Sequence, residues 1–346
     1  RHYPRPQLAA RPHLAARLDA HLVLPVGARQ MCDFLAQEAP GSEESLKRTL
    51  RCLRQRVMAT LIVRDIAGVA PLSEVVESMT QLADVTTNFA LDFVHRQLSE
   101  LFGEPLDSRG QPQRLLVIGM GKLGGRELNV SSDVDYIFVY PEEGQTSGRR
   151  RIDNYDFFLR LGKRLIGALG EPTGDGQVFR VDMRLRPNGD SGALVGSLGS
   201  LENYFITQGR EWERYAWIKA RVMNEGVNLQ PEWVDGLQEI CRPFVFRKYL
   251  DFGAINAMRE LHAQIRREVA RKDMAEHIKL GPGGIREIEF IAQVFQLIRG
   301  GREPALQARP TLQILALLAE RRLLPADSER ELAVAYEFLR RLEHRL

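Results

Sequence analysis

The chain has 346 residues, of which 44% are hydrophobic and 27% are charged, and its formal net charge is +3. This length predicts two or three domains, and the ordinary composition predicts a globular protein. The weak positive charge gives no argument for nucleic-acid binding, and no apolar run is long enough to span a bilayer.

The cysteines and histidines argue against the common zinc sites. Cys32, Cys52 and Cys241 lie far apart, and the seven histidines form no pair with metal-ligand spacing. The N-terminus has no secretory signal pattern, so we expect a cytoplasmic protein in a reducing compartment. The chain begins at Arg1 and ends within a helical pattern, and we therefore expect it to be a fragment of a longer protein.

Residues 1–108 are predicted to form an N-terminal helical region. Apolar side chains recur at spacings of three and four within residues 42–68. Ser42 or Ser45 is expected to cap this helix, and Gly68 is expected to end it. Residues 71–103 predict one or two further helices. A linker rich in proline, glycine and serine follows and marks a domain boundary.

The segment from Leu115 to Tyr140 is the one around which the chain is organised. Its sequence predicts a strand, a glycine-rich turn, a short helical connection and a second strand. Asp133 and Asp135 fall two residues apart on the second strand, so their side chains share one face. Two such carboxylates repel each other unless a cation neutralises them, and their oxygen atoms favour Mg²⁺. The structural alternative is a solvated strand end.

A third carboxylate lies on another predicted strand, residues 179–186, where apolar side chains alternate with three arginines and Asp182. A ladder of salt bridges would explain Asp182 taken alone. Beside the two aspartates of the earlier strand, it is interpreted as a third metal ligand. Arg184 and Arg186 would then face phosphate groups, because a guanidinium matches phosphate oxygens.

Residues 200–223 are predicted to be helical, with a stripe of side chains on one face. Such an aromatic stripe is more often part of a core than of a ligand site. Lys219 and Arg221 remain within reach of a phosphate as the alternative interpretation. The stripe consists of Trp212, Tyr215, Ala216 and Lys219.

The remainder of the chain, residues 229–346, is predicted to be a helical domain with one interruption. A Gly-Pro-Gly turn at residues 281–283 precedes a helix whose first turn is expected to contain Glu287 and Glu289. Acidic residues there complement the helix dipole, and a functional role is the equal alternative.

The loop Gly119–Gly124 formally matches G-x-G-x-x-G after a strand, which alone is weak evidence for dinucleotide binding. A dinucleotide-binding unit needs a full crossover helix before its next strand, and the connection here is too short. The absence of G-K-[ST] excludes a Walker-type loop. The favoured interpretation is a loop that holds the phosphates of a nucleotide against metal ions on the aspartates.

These residues resemble the nucleotidyltransferase superfamily that includes DNA polymerase β. The resemblance is closer to one family, the bifunctional glutamine synthetase adenylyltransferases/adenylyl-removing enzymes. It rests on five stretches within residues 114–304, which read GMGKLGGRELNVSSDVD, FRVDMRLRPNGDSGALV, QGREWERYAWIKAR, RPFVFRKYLDF and KLGPGGIREIEFIAQVFQLIRGGREP. The readings ELNVSSDVD and RVDMRLRP look like the N-terminal, adenylyl-removing half of that family.

The resemblance implies an α+β fold and three domains. A polymerase β-like core of residues 109–228, with a small mixed sheet, would lie between the N-terminal helical region 1–108 and a C-terminal helical bundle, 229–346. The implied catalytic residues and ligands of Mg²⁺ or Mn²⁺ are Asp133, Asp135 and Asp182. The implied nucleotide- and phosphate-binding residues are Gly124, Gly125, Ser132, Arg184, Arg186 and Lys122.

The reaction implied by the resemblance is phosphorolysis of adenylylated glutamine synthetase, with phosphate as the attacking group and ADP as product. The implied regulatory partner is the uridylylated PII signal protein, with no nucleic-acid or membrane partner. Two alternatives stay open at this point. The same site could carry out ATP-dependent adenylylation of glutamine synthetase, or the chain could be a non-catalytic nucleotide-sensing module.

Overall fold

A computed structural model describes residues 24–249 and 277–345, together with residues 260, 263 and 267. Parts of the predicted helical regions, residues 1–23 and most of residues 250–276, lie outside the described residues. The chain divides into two compact units that alternate along the sequence. The first unit takes its residues from Arg1–Gln113, Glu127–Val134 and Glu143–Asp182, and the second from Arg114–Arg126, Asp135–Glu142 and Met183–Leu346.

The described elements form an α+β architecture with a small mixed sheet. In chain order they are α1 (Ala28–Glu38), α2 (Glu43–Ile66), α3 (Leu72–Phe102), β1 (Leu116–Gly119), α4 (Gly121–Gly124), β2 (Val134–Tyr140), α5 (Asn154–Gly170), β3 (Val181–Asp182), β4 (Val195–Ser197), α6 (Leu198–Thr207), α7 (Glu211–Trp217), β5 (Arg221–Val222), α8 (Pro231–Val245), α9 (Ile285–Arg299), α10 (Thr311–Glu320) and α11 (Ala326–Arg345).

The helices of the first unit begin and end where local signals predict. The Ser42 hydroxyl accepts a hydrogen bond from the Ser45 N–H and caps α2, and Gly68 follows its end with φ +74°. Leu72–Phe102 form the single long helix α3, followed by Gly103 at φ +82°. α3 packs against α1, α2 and α5. The predictions for these helix boundaries are confirmed.

A buried arginine joins α2 to the end of α5 within this unit. Arg51 is 1% exposed, and its guanidinium donates to the carbonyl of Ala168 at 3.0 Å and to that of Gly176 at 2.7 Å. It also donates to the carbonyl of Glu171 and, at 2.7 Å, to that of Lys47. Carbonyls at a helix C-terminus have no partner within the helix, and Arg51 supplies one.

The sheet of the second unit is built on β1. β1 pairs with β2 and with β5, both antiparallel, and Ile118 lies opposite Ile137 on one side and Val222 on the other. β2 also pairs with β4, in parallel. The antiparallel arrangement of β1 and β2 is incompatible with a dinucleotide-binding unit, in which these two strands are parallel.

The Asn224 side chain extends the β1 edge beyond β5. Its amide oxygen accepts from the Val117 N–H at 3.0 Å, and its amide nitrogen donates to the Leu115 carbonyl at 2.8 Å. The residue is 2% exposed, so both hydrogen bonds are shielded from water. They fix β5, which begins two residues after Lys219, against β1.

Two apolar clusters stabilise the second unit. One packs β1 and β2 against α6, α7 and α8, with Phe205 and Phe244 stacked at a centroid distance of 4.0 Å. The other joins α9, α10 and α11 around Ile288, Leu315 and Tyr336. Among the described helices, none combines the length and the apolar composition required to cross a membrane.

The predicted strand over residues 179–186 is wrong in length, because β3 comprises only Val181–Asp182. The chain then turns, with the Arg186 N–H donating to the Met183 carbonyl. Beyond this turn, Asn188 and Gly189 adopt left-handed conformations, at φ +60° and +55°, and the chain does not return to β3.

The predicted single helix over residues 200–223 is also wrong. It is divided into α6 and α7 and continues into the strand β5. The break lies at Gly209, where an added Cβ would come within 2.5 Å of the Phe244 ring. Arg210 then starts α7, with its N–H bonded to the Glu213 carboxylate at 2.9 Å.

We expect Arg51→Leu to lower the free energy of unfolding by about 3 kcal/mol, because it removes a buried charged donor from several carbonyls. Urea-induced unfolding followed by circular dichroism measures this. Arg48→Leu, at an exposed position of the same helix, is the matched control and should change stability by less than about 0.5 kcal/mol. Equal effects of the two substitutions would contradict the role assigned to Arg51.

Candidate active site

The glycine turn α4 follows β1 and leads towards β2. It packs closely against the chain near Lys219. A Cβ on Gly124 would lie 1.8 Å from the Lys219 carbonyl oxygen, so no other residue fits there. Gly121 adopts φ +54°, and a Cβ there would lie 3.5 Å from Oδ2 of Asp135. These glycines allow Lys122, between them, to lie close to Lys219.

The two glycines predicted to bind phosphate already use their backbone donors within this turn. The Gly124 N–H donates to the Met120 carbonyl at 3.1 Å, and the Gly125 N–H donates to the Gly121 carbonyl at 3.0 Å. The contribution visible in the structure is therefore close packing, and phosphate binding by these residues stays a prediction.

Two lysine side chains donate hydrogen bonds to one carboxylate oxygen of Glu289, the fifth residue of α9. Lys122 donates to Oε1, and Lys219 Nζ lies 3.1 Å from the same atom. Lys219 also donates to the Thr311 hydroxyl at 2.9 Å, and the Tyr336 hydroxyl lies 3.4 Å from Oε1. We name Lys122, Lys219 and Glu289 the Glu289 cluster.

The Glu289 cluster is shielded from water, since none of its side chains is more than 14% exposed. Burial acts to raise the pKa of Glu289, but the charges and hydrogen bonds of Lys122 and Lys219 outweigh it and hold the pKa well below its usual range. Two ammonium groups therefore lie at one ionised carboxylate oxygen.

The cluster lies at the wall of a cavity of about 440 Å³. Its aromatic wall is formed by Trp212, Tyr215 and Phe290, and Tyr215 and Phe290 have ring centroids 5.8 Å apart. Burial, reinforced by the negative charge of Glu289, raises the pKa of Tyr215 well above its ordinary value, so the phenol stays protonated. The further charged residues of the lining are Asp135, Lys279, Arg286 and Glu287.

Asp135 is the predicted carboxylate that lines this cavity. It is the second residue of β2 and is half-buried, whereas Ile137 and Val139, on the same face, are buried. Its backbone carbonyl accepts from the Met120 N–H at 2.9 Å, which fixes the start of the glycine turn beside it. Of the predicted site residues, the structure brings Asp135 and Lys122 to one cavity.

Asp133 belongs to the first unit and lies one residue before β2, not on it. Both of its carboxylate oxygens are engaged by Arg180, with Nη2 2.6 Å from Oδ2 and Nε 2.5 Å from Oδ1. Arg180 is mostly exposed, so this pairing is open to exchange with solvent or a ligand. The Val134 N–H donates to the Arg180 carbonyl at 3.0 Å and holds the two segments together.

The other predicted site residues lie in turns or at strand ends. Asp182 ends β3 and is half-buried, and Ser132 accepts the Asn129 N–H on its hydroxyl at 3.1 Å. Arg184 is exposed. The Arg186 guanidinium donates to three carbonyls of its own turn, those of Met183, Asp190 and Gly192. Within the described part of either unit, no three His, Cys, Asp or Glu side chains form a group that could hold a metal ion.

The sequence interpretation missed the role of Glu289. The structure assigns it to the buried stripe of α9 rather than to the first turn, where Glu287 accepts the Gly283 N–H. The available signal was its spacing, because Glu289 follows Ile285 by four residues and Ile288 by one. An acidic residue within an apolar helical stripe predicts a buried charge that needs a partner. The aromatic stripe of α7 is interpreted from sequence as core. Tyr215 and Ala216 do pack against the apolar cluster that includes β1 and β2, and the stripe also lines the cavity.

Two family models match the chain. The model described as glutamate-ammonia ligase adenylyltransferase matches residues 7–234. A second model, described as GlnD PII-uridylyltransferase, matches residues 259–346. The first match includes β1, the glycine turn and all three predicted aspartates, and the second includes α9, α10 and α11.

Several bacterial proteins named bifunctional glutamine synthetase adenylyltransferase/adenylyl-removing enzyme are similar to this chain. One from Aromatoleum aromaticum is 60% identical over 344 residues, which are 99% of this chain and 36% of that protein. Those from Chromobacterium violaceum and Nitrosomonas europaea are 56% and 54% identical, over 98% and 99% of this chain, and each is covered to 37%. The chain thus spans little more than a third of the length of these relatives.

We expect Glu289→Gln to lower the free energy of unfolding at pH 7 by about 3 kcal/mol, because two buried lysines then face an uncharged amide. The folded-state pKa of Glu289 is depressed, so its stabilisation is present above the unfolded-state pKa of about 4.3 and is lost as the pH falls through the folded-state pKa. The difference between variant and parent should therefore shrink from pH 7 to pH 3. Urea-induced unfolding at several pH values measures it.

Glu320→Gln, at an exposed position of α10, is the matched control for this series. It should leave stability and its pH dependence nearly unchanged. A Glu289→Gln variant whose stability difference is constant between pH 7 and pH 3 would count against a buried, ionised Glu289.

Proposed function

The chain belongs to the glutamate-ammonia ligase adenylyltransferase family, whose model matches more than half of it, and from this membership we propose that it removes the adenylyl group from glutamine synthetase. The proposed substrates are adenylylated glutamine synthetase and inorganic phosphate. The products are ADP and unmodified glutamine synthetase, so the reaction adjusts nitrogen assimilation. The observation that carries the proposal is the family match across the segment with Asp133, Asp135 and Asp182.

The choice of adenylyl removal over adenylyl transfer rests on local sequence. The readings ELNVSSDVD and RVDMRLRP resemble the adenylyl-removing half of the family more than the adenylylating half. The names of the relatives include both activities, which is consistent with either. Adenylylation from ATP is therefore the second candidate, favoured by the name of the matching family model.

The proposed reaction transfers AMP between two oxygen atoms. An oxygen of HPO₄²⁻ forms a bond to the phosphorus of AMP, and the bond from that phosphorus to the tyrosine oxygen breaks. The tyrosine oxygen leaves with the bonding electron pair and takes the proton that HPO₄²⁻ loses. No covalent enzyme intermediate is required, so the protein contributes positioning and charge.

The positive charges of Lys122 and Lys219 support this chemistry. Phosphate and the adenylyl group are both anions, and bringing them together requires nearby cations. Lys122 and Lys219 are shielded from water beside Asp135, where a positive charge acts more strongly than in bulk solvent. We propose that they offset the negative charge that develops in the transition state, with Arg184 and Arg186 as further candidates.

We propose Asp133, Asp135 and Asp182 as the ligands of Mg²⁺ or Mn²⁺. Their donor chemistry fits, because carboxylate oxygens are the ligands that hard divalent cations prefer. Asp133 has a constraint of its own, since Arg180 engages both of its oxygens and must be displaced before a cation binds there. When bound, such a cation supplies positive charge that offsets repulsion between the phosphate groups.

Several finer features belong to the same proposal. The small mixed sheet with its glycine turn supports a polymerase β-like core, and α9, α10 and α11 support a C-terminal helical bundle. Predicted roles for Gly124, Gly125 and Ser132 in phosphate binding are retained as part of it. The uridylylated PII protein is the proposed regulator, consistent with the PII-uridylyltransferase model that matches residues 259–346.

We expect Asp133→Ala and Asp135→Ala each to reduce ADP release at least about 100-fold, because each removes a proposed ligand of the cation that offsets repulsion between the phosphates. The assay mixes the chain with adenylylated glutamine synthetase, phosphate and Mg²⁺, and measures ADP. Asp235→Ala, an exposed position on α8, is the control.

The same assay separates the candidate functions. Phosphate-dependent ADP release supports adenylyl removal. Modification of unmodified glutamine synthetase in the presence of ATP, without ADP release from the adenylylated form, supports the transferase alternative. No turnover in either direction, together with nucleotide binding, supports a sensing module. ADP release at the parental rate by either aspartate variant refutes the assignment of these carboxylates.

We expect Arg180→Gln to tighten Mn²⁺ binding by up to about fivefold, because an exposed ion pair is worth up to about 1 kcal/mol and its loss frees the Asp133 oxygens. Electron paramagnetic resonance of free Mn²⁺ measures the affinity without requiring turnover. The double variant Arg180→Gln/Asp133→Asn is the control, and it should not show the tighter Mn²⁺ binding. Weaker Mn²⁺ binding by Arg180→Gln alone would contradict competition between the arginine and the cation.

A further inference from the structure

The cavity of the second unit has two chemically distinct ends. One end carries the rings of Tyr215 and Phe290, with Trp212 at an exposed edge, where it is 37% accessible. The other end carries the Glu289 cluster beside Asp135. A ligand that matches both ends must combine a planar apolar group with an anionic group.

The aromatic end arises from the periodicity of two helices. Trp212, Tyr215 and Ala216 occupy positions i, i+3 and i+4 of α7 and therefore share one face. Phe290 faces them from α9 and tilts 37° from the plane of the Tyr215 ring. Ala216, with its small side chain, leaves room between the rings. Flat aromatic ligands stack on such surfaces.

The cationic end calls for an anion. Lys122 and Lys219 meet at one carboxylate oxygen and bring two ammonium groups to this shielded end of the cavity. Lys279 and Arg286 add positive charge to the lining, and Asp135 and Glu287 add negative charge. A phosphate accepts hydrogen bonds from ammonium groups, and such charge-assisted hydrogen bonds are among the strong ones.

The volume agrees with a ligand of this kind. About 440 Å³ lies within the range of sites that bind nucleotide-sized molecules. The cavity is too small to hold a folded protein element. Asp135 marks its polar end, so a phosphate held there lies next to a proposed reacting centre.

We propose that this cavity binds an adenosine phosphate, with the base against Tyr215 and Phe290 and the phosphate beside Lys122 and Lys219. The inference rests on the proposed function for the identity of the base, because an adenylyl group is the substrate there. It adds Trp212, Tyr215 and Phe290 as residues that bind the base, and Glu289 as a positioning residue for both lysines.

Calorimetric titration with ADP, and separately with inorganic phosphate, tests the proposal. Phe290→Leu should weaken ADP binding roughly tenfold, because loss of one aromatic contact with a base has an effect of this order. The same substitution should leave phosphate binding unchanged, whereas Lys122→Gln should weaken both. Trp212→Leu, at the exposed edge, provides a second variant that leaves the core intact. Phe338→Leu, at a 64% exposed position on α11, is the control.

Parental affinity for ADP in both Phe290→Leu and Trp212→Leu overturns the proposal, as does equal affinity of the parent chain for ADP and inorganic phosphate. Absence of ADP binding to the parent chain also overturns it. The ADP-release assay, run in parallel, separates this inference from the proposed function. Turnover with unaltered ADP affinity in both aromatic variants refutes the cavity assignment alone. The expected binding pattern without turnover refutes the proposed function and retains the cavity as a nucleotide site.

Discussion

The sharing of one carboxylate oxygen by two lysines is the interaction on which the second unit depends. Glu289 is held ionised by Lys122 and Lys219, and the lysines are held in place by it. Burial of three charges is costly, and the cost is tolerated only because each charge has a partner close by. Thr311 and Tyr336 supply further contacts from α10 and α11. The glycine turn and the three C-terminal helices are thus joined through a single side chain.

Close packing explains why the cluster forms at the glycine turn. Gly124 has its α-carbon against the Lys219 carbonyl, so α4 and the segment before β5 approach each other without an intervening side chain. The same approach is reinforced by Asn224, which extends the edge of β1 that pairs with β5. The turn therefore allows close packing because Gly124 has no side chain, and the two lysines contribute the charge. The glycine-rich loop thereby determines how near the two cationic side chains can lie.

Local signals were sufficient to predict most of the helices and the glycine turn, because caps and periodicity are properties of neighbouring residues. Ser42, Gly68 and Gly103 are examples in which a residue and the helix boundary agree. Interruptions were harder to predict. The break at Gly209 depends on the nearby Phe244 ring, which no local pattern reveals. The short β3 strand reflects the turn in which the Arg186 N–H donates to the Met183 carbonyl, whereas the alternating pattern extends to residue 186.

The candidate site likewise contains residues that local sequence predicts and residues whose role depends on distant parts of the chain. The glycine turn and Asp135 were found from spacing alone, and both contribute to the cavity. The partnership of Glu289 was not found, because it joins residues that are 167 positions apart in the chain. An acidic residue in an apolar stripe indicates only that a partner is required. The identity of the partner depends on the tertiary fold.

That separation in sequence has a consequence for the order of folding. Contacts within α9, α10 and α11 close short loops, whereas the contact of Glu289 with Lys122 closes a very long one, and long closures form late. Before the glycine turn packs against α9, we expect the Glu289 carboxylate to remain hydrated. The apolar stripe around it is then not fully buried. We therefore expect the cavity to be among the last features of the second unit to form. A partly folded chain would lack the site altogether, which ties competence for ligand binding to completion of folding.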